Sequence, residues 1–385
     1  MTSSQPIARP LKVALICDHF LPRVGGIELH VMDLARELLK HGQEARVVTA
    51  TPGEENIDGV RIHRLKASLL PGSKIIWNTG ALRDLQKLLK EERFDVLHCH
   101  SSVVSPLAYG GVFLARKGCP SVLTVHSLLN HTSRVFRSLD PFLRWSRWPV
   151  VLTGVSGAVA EGIRKAAPKA EVLKLPNGIY PEEWRVTPIA SPETRITTVM
   201  RLHRKKRPQE LLKAIPQILK QAPSSSFLRF TFIGDGPERK KLESLAKELG
   251  LESHVEFLGY LPRDRIKEVF SRTQLFVLPT VKEAFGIAIL EARSAGLPVV
   301  AMNHGGTGDL IESGREGYLA NTTEEFVRRS VEILTDAFLR KRMAENTREG
   351  LHKFHWDSVI ARHLEIYRAA ISKAEAFSNG KEASR

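Results

Sequence analysis

The sequence has only three cysteines and no long apolar run. The first feature argues against a disulfide-stabilised protein and the second against a membrane-spanning one. No segment approaches the roughly 18 consecutive apolar residues that a membrane-spanning helix needs. Cys17, Cys99 and Cys119 cannot all pair and lie in or beside apolar strand-like segments, which predicts buried, reduced thiols. The polar stretch Met1 to Pro10 has no apolar signal region, so we expect a cytoplasmic protein.

The charge is strongly basic. The formal net charge is +15 and the sequence pI is about 9.8, which favours a partner that is a nucleic acid, an anionic lipid or a phosphorylated small molecule. No nucleic-acid reader motif is recognisable, and the basic residues are scattered along predicted helices rather than concentrated in one arm. We therefore expect no nucleic-acid partner, while charge alone does not decide between the other two.

The chain, with 385 residues, is longer than one hydrophobic core usually serves, which predicts two domains. Short apolar runs alternate with helical patterns in two similar series, which is typical of parallel sheets covered on both faces. A proline-rich stretch at 181–192 separates the series. The predicted strands are Lys12–Cys17, Ala45–Thr49, Val96–His98, Ser121–Val125, Val150–Val155 and Val172–Leu175, then Arg195–Met200, Phe227–Ile233, Val255–Phe257, Leu275–Leu278 and Pro298–Ala301.

The most informative motif is the segment Glu283–Glu291, EAFGIAILE, which follows the strand at 275–278. A loop containing Gly286 and a helix starting near Ile287 would present free backbone N–H groups and a positive dipole end to a phosphate. The two glutamates are eight residues apart, about 12 Å on a helical path. Their carboxylates could accept hydrogen bonds from sugar and ribose hydroxyls on opposite sides of the phosphates, although solvated helix residues are an equal alternative from spacing alone.

Two cations follow the strand at 195–200. Arg201 and Lys206, in RLHRKKRP, come at a strand end where α/β folds bind ligands, and they could neutralise a leaving diphosphate without a metal. No Asp-x-Asp triplet occurs, so an obvious metal–diphosphate clamp is missing. A solvated basic loop is the alternative interpretation.

Glycines and histidines give weaker signals. Gly25-Gly26 and Gly234-Asp235-Gly236 follow strands and would let the backbone approach a phosphate, but a tight turn explains them equally well. His126 ends a predicted strand and could orient a sugar hydroxyl. His98 and His100 form a His-x-His pair, yet no carboxylate or second cysteine at suitable spacing completes a metal set, so we expect no metal.

Together these segments resemble the family-4 retaining glycosyltransferases of the GT-B fold. The resemblance runs almost end to end and rests on FLPRVGGIELHV, FDVLHCHSS, TVHS, GVSGAV, LPNGI, RLHRKKRPQELL, FIGDGPERKKLE, FLGYLP, EAFGIAILEARSAGLPVVAMNHGG and HWDSVIARHLEIYRA. It implies two Rossmann-like, doubly wound α/β domains facing a deep cleft: an acceptor-side domain at 1–185 and a nucleotide-sugar domain at 186–355. A helix at 356–377 would pack back on the first domain, and 378–385 would be a disordered tail.

The resemblance also implies roles for particular residues. Glu283 would bind the transferred sugar, Glu291 the ribose, and Arg201 and Lys206 the diphosphate. His126 would lie near the reacting sugar. The catalytic set is therefore Glu283, His126, Arg201 and Lys206, and the donor-binding set is Gly26, Arg201, Lys206, Gly234, Gly286, Ile287, Glu291 and Asn177, with neither a metal nor another cofactor.

Three positions depart from the family pattern. Asp309 comes after Gly305-Gly306 where the family often has Pro-Glu, which leaves the role of its shorter carboxylate open. Tyr180 follows the Asn177-Gly178-Ile179 segment where aspartate is common. Arg207 stands where glycine commonly follows the lysine, and it adds a cation.

The resemblance implies a retaining, metal-independent hexosyltransferase that moves a mannose-, glucose- or N-acetylglucosamine-type sugar from a UDP- or GDP-linked donor. The acceptor would be lipid-linked or another glycan, in glycolipid or cell-envelope polysaccharide synthesis. A sugar-nucleotide epimerase or hydrolase of the same fold, and a non-catalytic nucleotide-sugar or nucleic-acid binding protein, are the alternatives.

One further segment bears on the acceptor. Arg134–Trp148 interleaves four arginines with four aromatic residues, a composition that suits a membrane interface. Pro141 argues against one continuous helix, and an acceptor-side lid with its aromatics packed inward is the alternative. The first interpretation predicts a peripheral protein at the inner face of the cell membrane.

Overall fold

The computed structural model describes residues 9–66, 79–116, 118–129, 132–222 and 227–382. The chain forms two compact units: the first contains the residues up to Gly178 and those from Trp356 onward, and the second is Ile179–His355. The chain first passes from one unit to the other after Gly178, whereas the sequence analysis placed this boundary after residue 185. No helix within the described residues is both long and apolar enough to cross a membrane.

The first unit is built on a sheet that has eight strands within the described ranges, in the order β3-β4-β2-β1-β5-β6-β7-β8. All neighbours are parallel except β3 and β4. Strands β5, β6 and β7 are buried along their whole length, as expected for strands covered on both faces. The strands are β1 Lys12–Cys17, β2 Glu44–Thr49, β3 Asn56–Ile57, β4 Val60–Arg64, β5 Val96–Ser101, β6 Ser121–Val125, β7 Val150–Gly154 and β8 Val172–Lys174.

The helices of this unit connect its strands, and the last one returns to it from the second unit. They are α1 Gly26–Lys40, α2 Thr79–Glu92, α3 Pro106–Ala115, α4 Thr132–Leu143, α5 Gly157–Ala166 and α12 Trp356–Glu382. Helix α12 packs on β5, β6 and β7. Because it continues to Glu382, the expectation that the chain is disordered from Ser378 is wrong for 378–382; residues 383–385 lie outside the described part.

The second unit contains a parallel sheet, for which the described residues give the order β11-β10-β9-β12-β13-β14. Its strands are β9 Thr194–Val199, β10 Leu228–Ile233, β11 Val255–Gly259, β12 Thr273–Leu278, β13 Val299–Met302 and β14 Gly317–Ala320. Its helices are α6 Pro208–Gln221, α7 Arg239–Glu248, α8 Arg263–Phe270, α9 Ile287–Ser294, α10 Thr323–Thr335 and α11 Ala337–Asn346.

Each sheet has a point where the strand order reverses. It lies between β1 and β5 in the first unit and between β9 and β12 in the second. At such a point, the loops that follow the two neighbouring strands leave in opposite directions. They open a crevice at the carboxyl edge of the sheet, which is where α/β folds bind ligands. In the second unit these loops carry Arg201 and Lys206 after β9 and Glu283 after β12.

The segment after β6 differs from the sequence expectation. Helix α4 runs through Pro141 and ends two residues later at Leu143, so Pro141 does not divide it as expected. Pro141 lies in the last turn, where its missing N–H removes a single helical hydrogen bond. The break comes at Arg144, whose φ is 50°, and a short 3-10 helix at Trp145–Arg147 follows.

Candidate active site

The centre of the site is an ion pair in the second unit. The Lys206 Nζ lies 2.7 Å from the Glu283 Oε2, and the two side chains are 33% and 12% exposed. The pair exists because β9 and β12 are neighbours, so the loops after them meet. A cation and a hydrogen-bond acceptor are therefore held side by side at the switch point of the sheet, where a phosphate and a hydroxyl of one ligand could be bound together.

The backbone around both charges is fixed by hydrogen bonds. The Thr280 hydroxyl donates to the Lys206 carbonyl at 3.1 Å, which ties the β12 loop to the β9 loop. The Gly306 N–H donates to the Glu283 carbonyl at 2.8 Å, which ties the same loop to the segment after β13. Three neighbouring strand ends thus hold the ion pair in place.

Gly286 lets the loop turn directly into helix α9. Its φ is 99°, in the left-handed region that side chains disfavour, and an added Cβ would lie 3.3 Å from the Glu283 Cγ. Helix α9 therefore starts at Ile287, four residues after Glu283, and the first N–H groups of a helix have no partner one turn earlier within it. A helix amino terminus beside a lysine suits an anion.

Gly234 positions the other side of the crevice. Its φ is 125°, and an added Cβ would lie 2.0 Å from the Met200 carbonyl oxygen, so only glycine lets the end of β10 come this close to the end of β9. Arg201 follows Met200 with an exposed side chain. Gly234 thus shapes the loop that carries Arg201.

Glu291 lies in α9 and is partly buried. Two residues further along, the buried Arg293 lies 3.0 Å from the Glu316 carboxylate and donates to the carbonyls of Thr347, Leu310 and Glu349. Sequence reasoning missed Arg293, because nothing local distinguishes a buried arginine from a solvated one. It anchors helix α9, which provides Glu291 and whose amino end follows Glu283.

Three residues of the expected site belong to the first unit: Gly26, His126 and Asn177. Gly26 is the first residue of α1, and a Cβ added to it would meet no described atom within 4 Å, so its backbone faces open space. The Asn177 Oδ1 is buried and has no hydrogen-bond partner among the described residues. A buried acceptor without a donor is costly, and a ligand hydroxyl would satisfy it.

His126 is part of a larger group of histidines. Its Nε2 lies 3.0 Å from the His100 Nδ1, and its ring lies near that of His30, at 5.3 Å between centroids. Burial, together with nearby His363, lowers the pKa of His126 to about 3, so the ring is neutral at pH 7. It can therefore donate or accept a hydrogen bond, but it cannot supply a positive charge.

Burial likewise lowers the pKa of His30, His98, His100 and His363. His98 is hydrogen-bonded to the Tyr367 hydroxyl at 2.9 Å and the Thr124 hydroxyl at 2.7 Å. Sequence reasoning found His98, His100 and His126 from their strand ends but missed His30 and His363. These two lie inside helical patterns, and only the tertiary fold brings α1 and α12 to the ends of β5 and β6.

The three rings of His30, His100 and His126 have nitrogens within 4.8 Å of one another. Neutral imidazoles at this spacing are a donor set that a divalent transition metal could use. The sequence had indicated no complete set, because His30 lies far from the other two along the chain.

The structure also locates the three cysteines and two of the three positions that depart from the family pattern. Cys17 and Cys99 are buried and Cys119 is partly exposed; all three are free. Arg207 adopts φ 58°, in the left-handed region that side chains disfavour and glycine tolerates. The Thr307 hydroxyl donates to the Met302 carbonyl at 2.8 Å, closing the turn before Asp309.

The chain is similar to known protein families and to individual proteins over most of its length. The family profile described as "Glycosyltransferase Family 4" matches residues 24–183, and the profile described as "Glycosyl transferases group 1" matches residues 181–350. An uncharacterized glycosyltransferase of Methanocaldococcus jannaschii is 26% identical, with 94% of this chain and 99% of that protein covered. One subunit of the Arabidopsis thaliana phosphatidylinositol N-acetylglucosaminyltransferase is 29% identical, with 78% and 69% covered.

Solved structures share the architecture. The structure of Anabaena HepE in complex with UDP and glucose superposes with a TM-score of 0.72 at 21% identity, covering 92% of this chain and 99% of HepE. Sucrose-phosphate synthase from Thermosynechococcus elongatus gives a TM-score of 0.76 at 20% identity, covering 94% and 99%.

The family profiles and the two parallel-sheet units shared with these solved structures identify a glycosyltransferase with the GT-B fold. The chain belongs to glycosyltransferase family 4, as its resemblance to that family had indicated.

Proposed function

We propose that this glycosyltransferase moves a hexose-type sugar, with retention and without a metal, from a nucleotide-diphosphate donor to a lipid-linked or other glycan acceptor. The observation that carries the proposal is the Lys206–Glu283 pair beside the amino end of α9. A sugar phosphate needs one cation for its phosphate and one acceptor for a nearby hydroxyl, and this pair offers both 2.7 Å apart.

The bond that breaks joins the anomeric carbon to the phosphate oxygen. Lys206, Arg201 and the α9 N–H groups stabilise the charge that develops on the leaving diphosphate. The acceptor hydroxyl oxygen attacks the anomeric carbon from the face that the phosphate leaves, and its proton passes to the leaving phosphate. This explains why no separate general base is needed and why the anomeric configuration is kept.

The remaining residues hold the donor. Glu283 accepts a hydrogen bond from the sugar, Glu291 from the ribose, and Gly234 and Gly286 keep the backbone close to the phosphates. His126, which is neutral, orients a sugar hydroxyl, and Gly26 and Asn177 offer a backbone N–H and an unsatisfied acceptor. These roles use hydrogen bonds and fixed charges throughout.

The names of relatives and neighbours suggest which donor to test first. HepE was solved with UDP-glucose as well as with UDP. Human, plant and yeast relatives are subunits of phosphatidylinositol N-acetylglucosaminyltransferases, and a Bacillus anthracis relative is an N-acetylglucosaminyl malate synthase. UDP-N-acetylglucosamine is therefore our first choice, with the protein acting at the cytoplasmic face of a membrane when the acceptor is a lipid.

The proposal is tested with radiolabelled UDP-N-acetylglucosamine, UDP-glucose and GDP-mannose and a membrane lipid extract as acceptor. We expect labelled glycolipid from a UDP-sugar, and a product with the donor's anomeric configuration by NMR. Glu283→Gln, which keeps the shape but removes the charge, should bind UDP and lose transfer, while the exposed neighbour Lys205→Ala should behave like the wild type. Release of free sugar without a glycosylated product would contradict transfer.

Metal independence has its own test. Activity should be unchanged after EDTA treatment and dialysis. If EDTA abolishes transfer and zinc restores it, the His30–His100–His126 group is the first place to look, and the proposal of a metal-independent reaction is wrong.

A further inference from the structure

Three apolar side chains of helix α4 are exposed. Val135, Leu139 and Phe142 are 58%, 44% and 85% exposed, and Phe142 is the most exposed large apolar side chain among the residues that the structure describes. A surface helix of a globular protein normally turns such a stripe toward the core. The exposure therefore needs a partner to explain it.

These three residues lie on one side of the helix. Their spacing of four and three residues keeps them within roughly 60° of one another around the axis. Ser133 is buried and lies about opposite the stripe, and α4 packs on α5. The helix is thus fixed to the protein by one side while its apolar side faces outward.

Exposed cations lie near the stripe. Arg134 lies beside it, Arg144 and Arg147 follow the end of the helix, and Arg137 lies on the opposite side of the helix. Arg134, Arg137, Arg144 and Arg147 are exposed, and the segment 132–148 contains a single acidic residue, Asp140. The Asp140 carboxylate is occupied, because it accepts hydrogen bonds from the Ser146 N–H and hydroxyl at 2.9 and 2.6 Å. The exposed positive charges of these arginines favour an anionic partner.

The aromatic residues of the segment behave differently from the stripe. Phe136 and Trp145 are partly buried, and their rings contact each other at 6.1 Å between centroids. Trp148 contacts Phe113, which is 45% exposed and carries the Arg116 guanidinium over its ring at 3.8 Å. The inward packing that sequence reasoning offered as the alternative therefore holds for part of the segment, and the aliphatic stripe with Phe142 points outward.

We propose that the α4 face, defined as Val135, Leu139 and Phe142 with Arg134, Arg144 and Arg147, docks on a bilayer that contains anionic lipids. An outward apolar stripe inserts at the boundary between headgroups and acyl chains, and neighbouring arginines bind lipid phosphates. Exposed apolar side chains beside arginines are the combination that an anionic bilayer surface binds. The inference that this docking brings the enzyme to a lipid acceptor rests on the proposed function. The binding to the bilayer does not.

Vesicle flotation tests the proposal with the full chain at about 0.15 M salt. Vesicles of phosphatidylcholine alone are compared with vesicles that also contain phosphatidylglycerol. The wild type should float with the anionic vesicles and much less with the neutral ones. Leu139→Ser with Phe142→Ser should weaken anionic binding about 10-fold or more, because the inserted apolar surface is lost.

The charge variant Arg134→Gln with Arg144→Gln should weaken binding to anionic vesicles about 25-fold, since each arginine near the surface strengthens it about five-fold. Phe338→Ser with Lys341→Gln is the matched control: Phe338 is 77% exposed on α11 in the second unit and should be dispensable. Equal binding by the α4 variants and the wild type, or no binding of the wild type to either vesicle, would overturn the proposal.

Two readouts separate this inference from the proposed function. Stabilisation by UDP in a thermal-shift assay should be the same in the α4 variants and the wild type, because these residues lie outside the donor site. If flotation behaves as expected but UDP does not stabilise the wild type, the docking stands and the donor proposal fails. If light scattering shows that the wild type is a dimer and that Phe142→Ser makes it a monomer, a second copy covers the stripe and the membrane proposal is wrong.

Discussion

The two units carry the same kind of sheet but opposite kinds of chemistry at their switch points. In the second unit the functional groups are charged: Lys206 with Glu283 in the site, and Arg293 with Glu316 behind it. In the first unit they are neutral imidazoles whose pKa values are lowered by burial. Under the proposed function, the charged unit would stabilise a diphosphate and the neutral one would form hydrogen bonds to hydroxyls, a division of labour that the following predictions test.

The largest effect should come from the buried charge pair of the second unit. Arg293→Leu leaves the Glu316 carboxylate uncompensated and three carbonyls without a donor, and should lower the free energy of unfolding by about 3–5 kcal/mol. Urea denaturation measures it. The control is Arg315→Leu, whose side chain is 49% exposed beside Glu349, and it should cost less than about 1 kcal/mol. Equal costs would mean that α9 does not depend on the buried pair.

The two units can be compared directly by the loss of activity that one substitution in each of them causes. Lys206→Ala should reduce kcat/KM about 100-fold or more, or roughly 2.7 kcal/mol, because it removes a charge on the leaving group. His126→Ala removes a neutral hydrogen bond and should cost about 10-fold, or roughly 1.4 kcal/mol. Steady-state kinetics with the same donor measure both. A larger loss for His126→Ala would reverse the proposed division of labour.

The imidazoles of the first unit should make stability depend on pH. Burial lowers the pKa of His363 to about 4, so the unfolded chain takes up its proton first as the pH falls below about 6.5. Folding should therefore weaken from pH 7 to pH 5 by about 2 kcal/mol on account of His363 alone. Burial raises the pKa of Asp18 to about 6, so its protonation stabilises the folded protein as the pH falls from 7 to 5. This contribution is the same in every variant compared.

Denaturation at pH 7 and pH 5 checks this prediction by comparing His363→Leu with the wild type. The variant should lose less stability on acidification, and the exposed His304→Gln should match the wild type. An unchanged pH dependence in His363→Leu would show that its ring is protonated in the folded protein.

The smallest effect concerns a strained residue in the second unit. Arg207 has φ 58°, so Arg207→Gly should stabilise the protein by about 0.5–1 kcal/mol in spite of the greater freedom of glycine when unfolded. Thermal denaturation measures it, and activity should change less than two-fold, or roughly 0.4 kcal/mol. A loss of activity like that of Lys206→Ala would instead give the Arg207 charge a place in the site.

Much of the fold could be predicted from the sequence. Apolar runs between helical patterns marked β1, β2 and β5–β13, because buried parallel strands are short and continuously apolar. The sequence analysis missed β3, which has only two residues, and also β4 and β14. In β4, VRIHR, arginines and a histidine interrupt the apolar pattern, and β14, GYLA, is only four residues long.

The site was predictable where its residues follow strands and not where packing alone assembles it. Lys206 and Glu283 follow neighbouring strands, so their loops had to meet. His30 and His363 lie within helices whose packing the sequence does not reveal, and the outward stripe of α4 looks like a core-facing one in its spacing. Which face a helix buries is a tertiary property.

The most direct test of the central claim is a double-mutant cycle between Lys206 and Glu283 on kcat/KM. If the two groups act together on one sugar phosphate, Lys206→Ala and Glu283→Gln should each lose about 100-fold or more, and the double variant should lose little beyond the larger single effect. Losses that multiply in the double variant, or turnover near the wild-type rate in either single variant, would contradict a shared site.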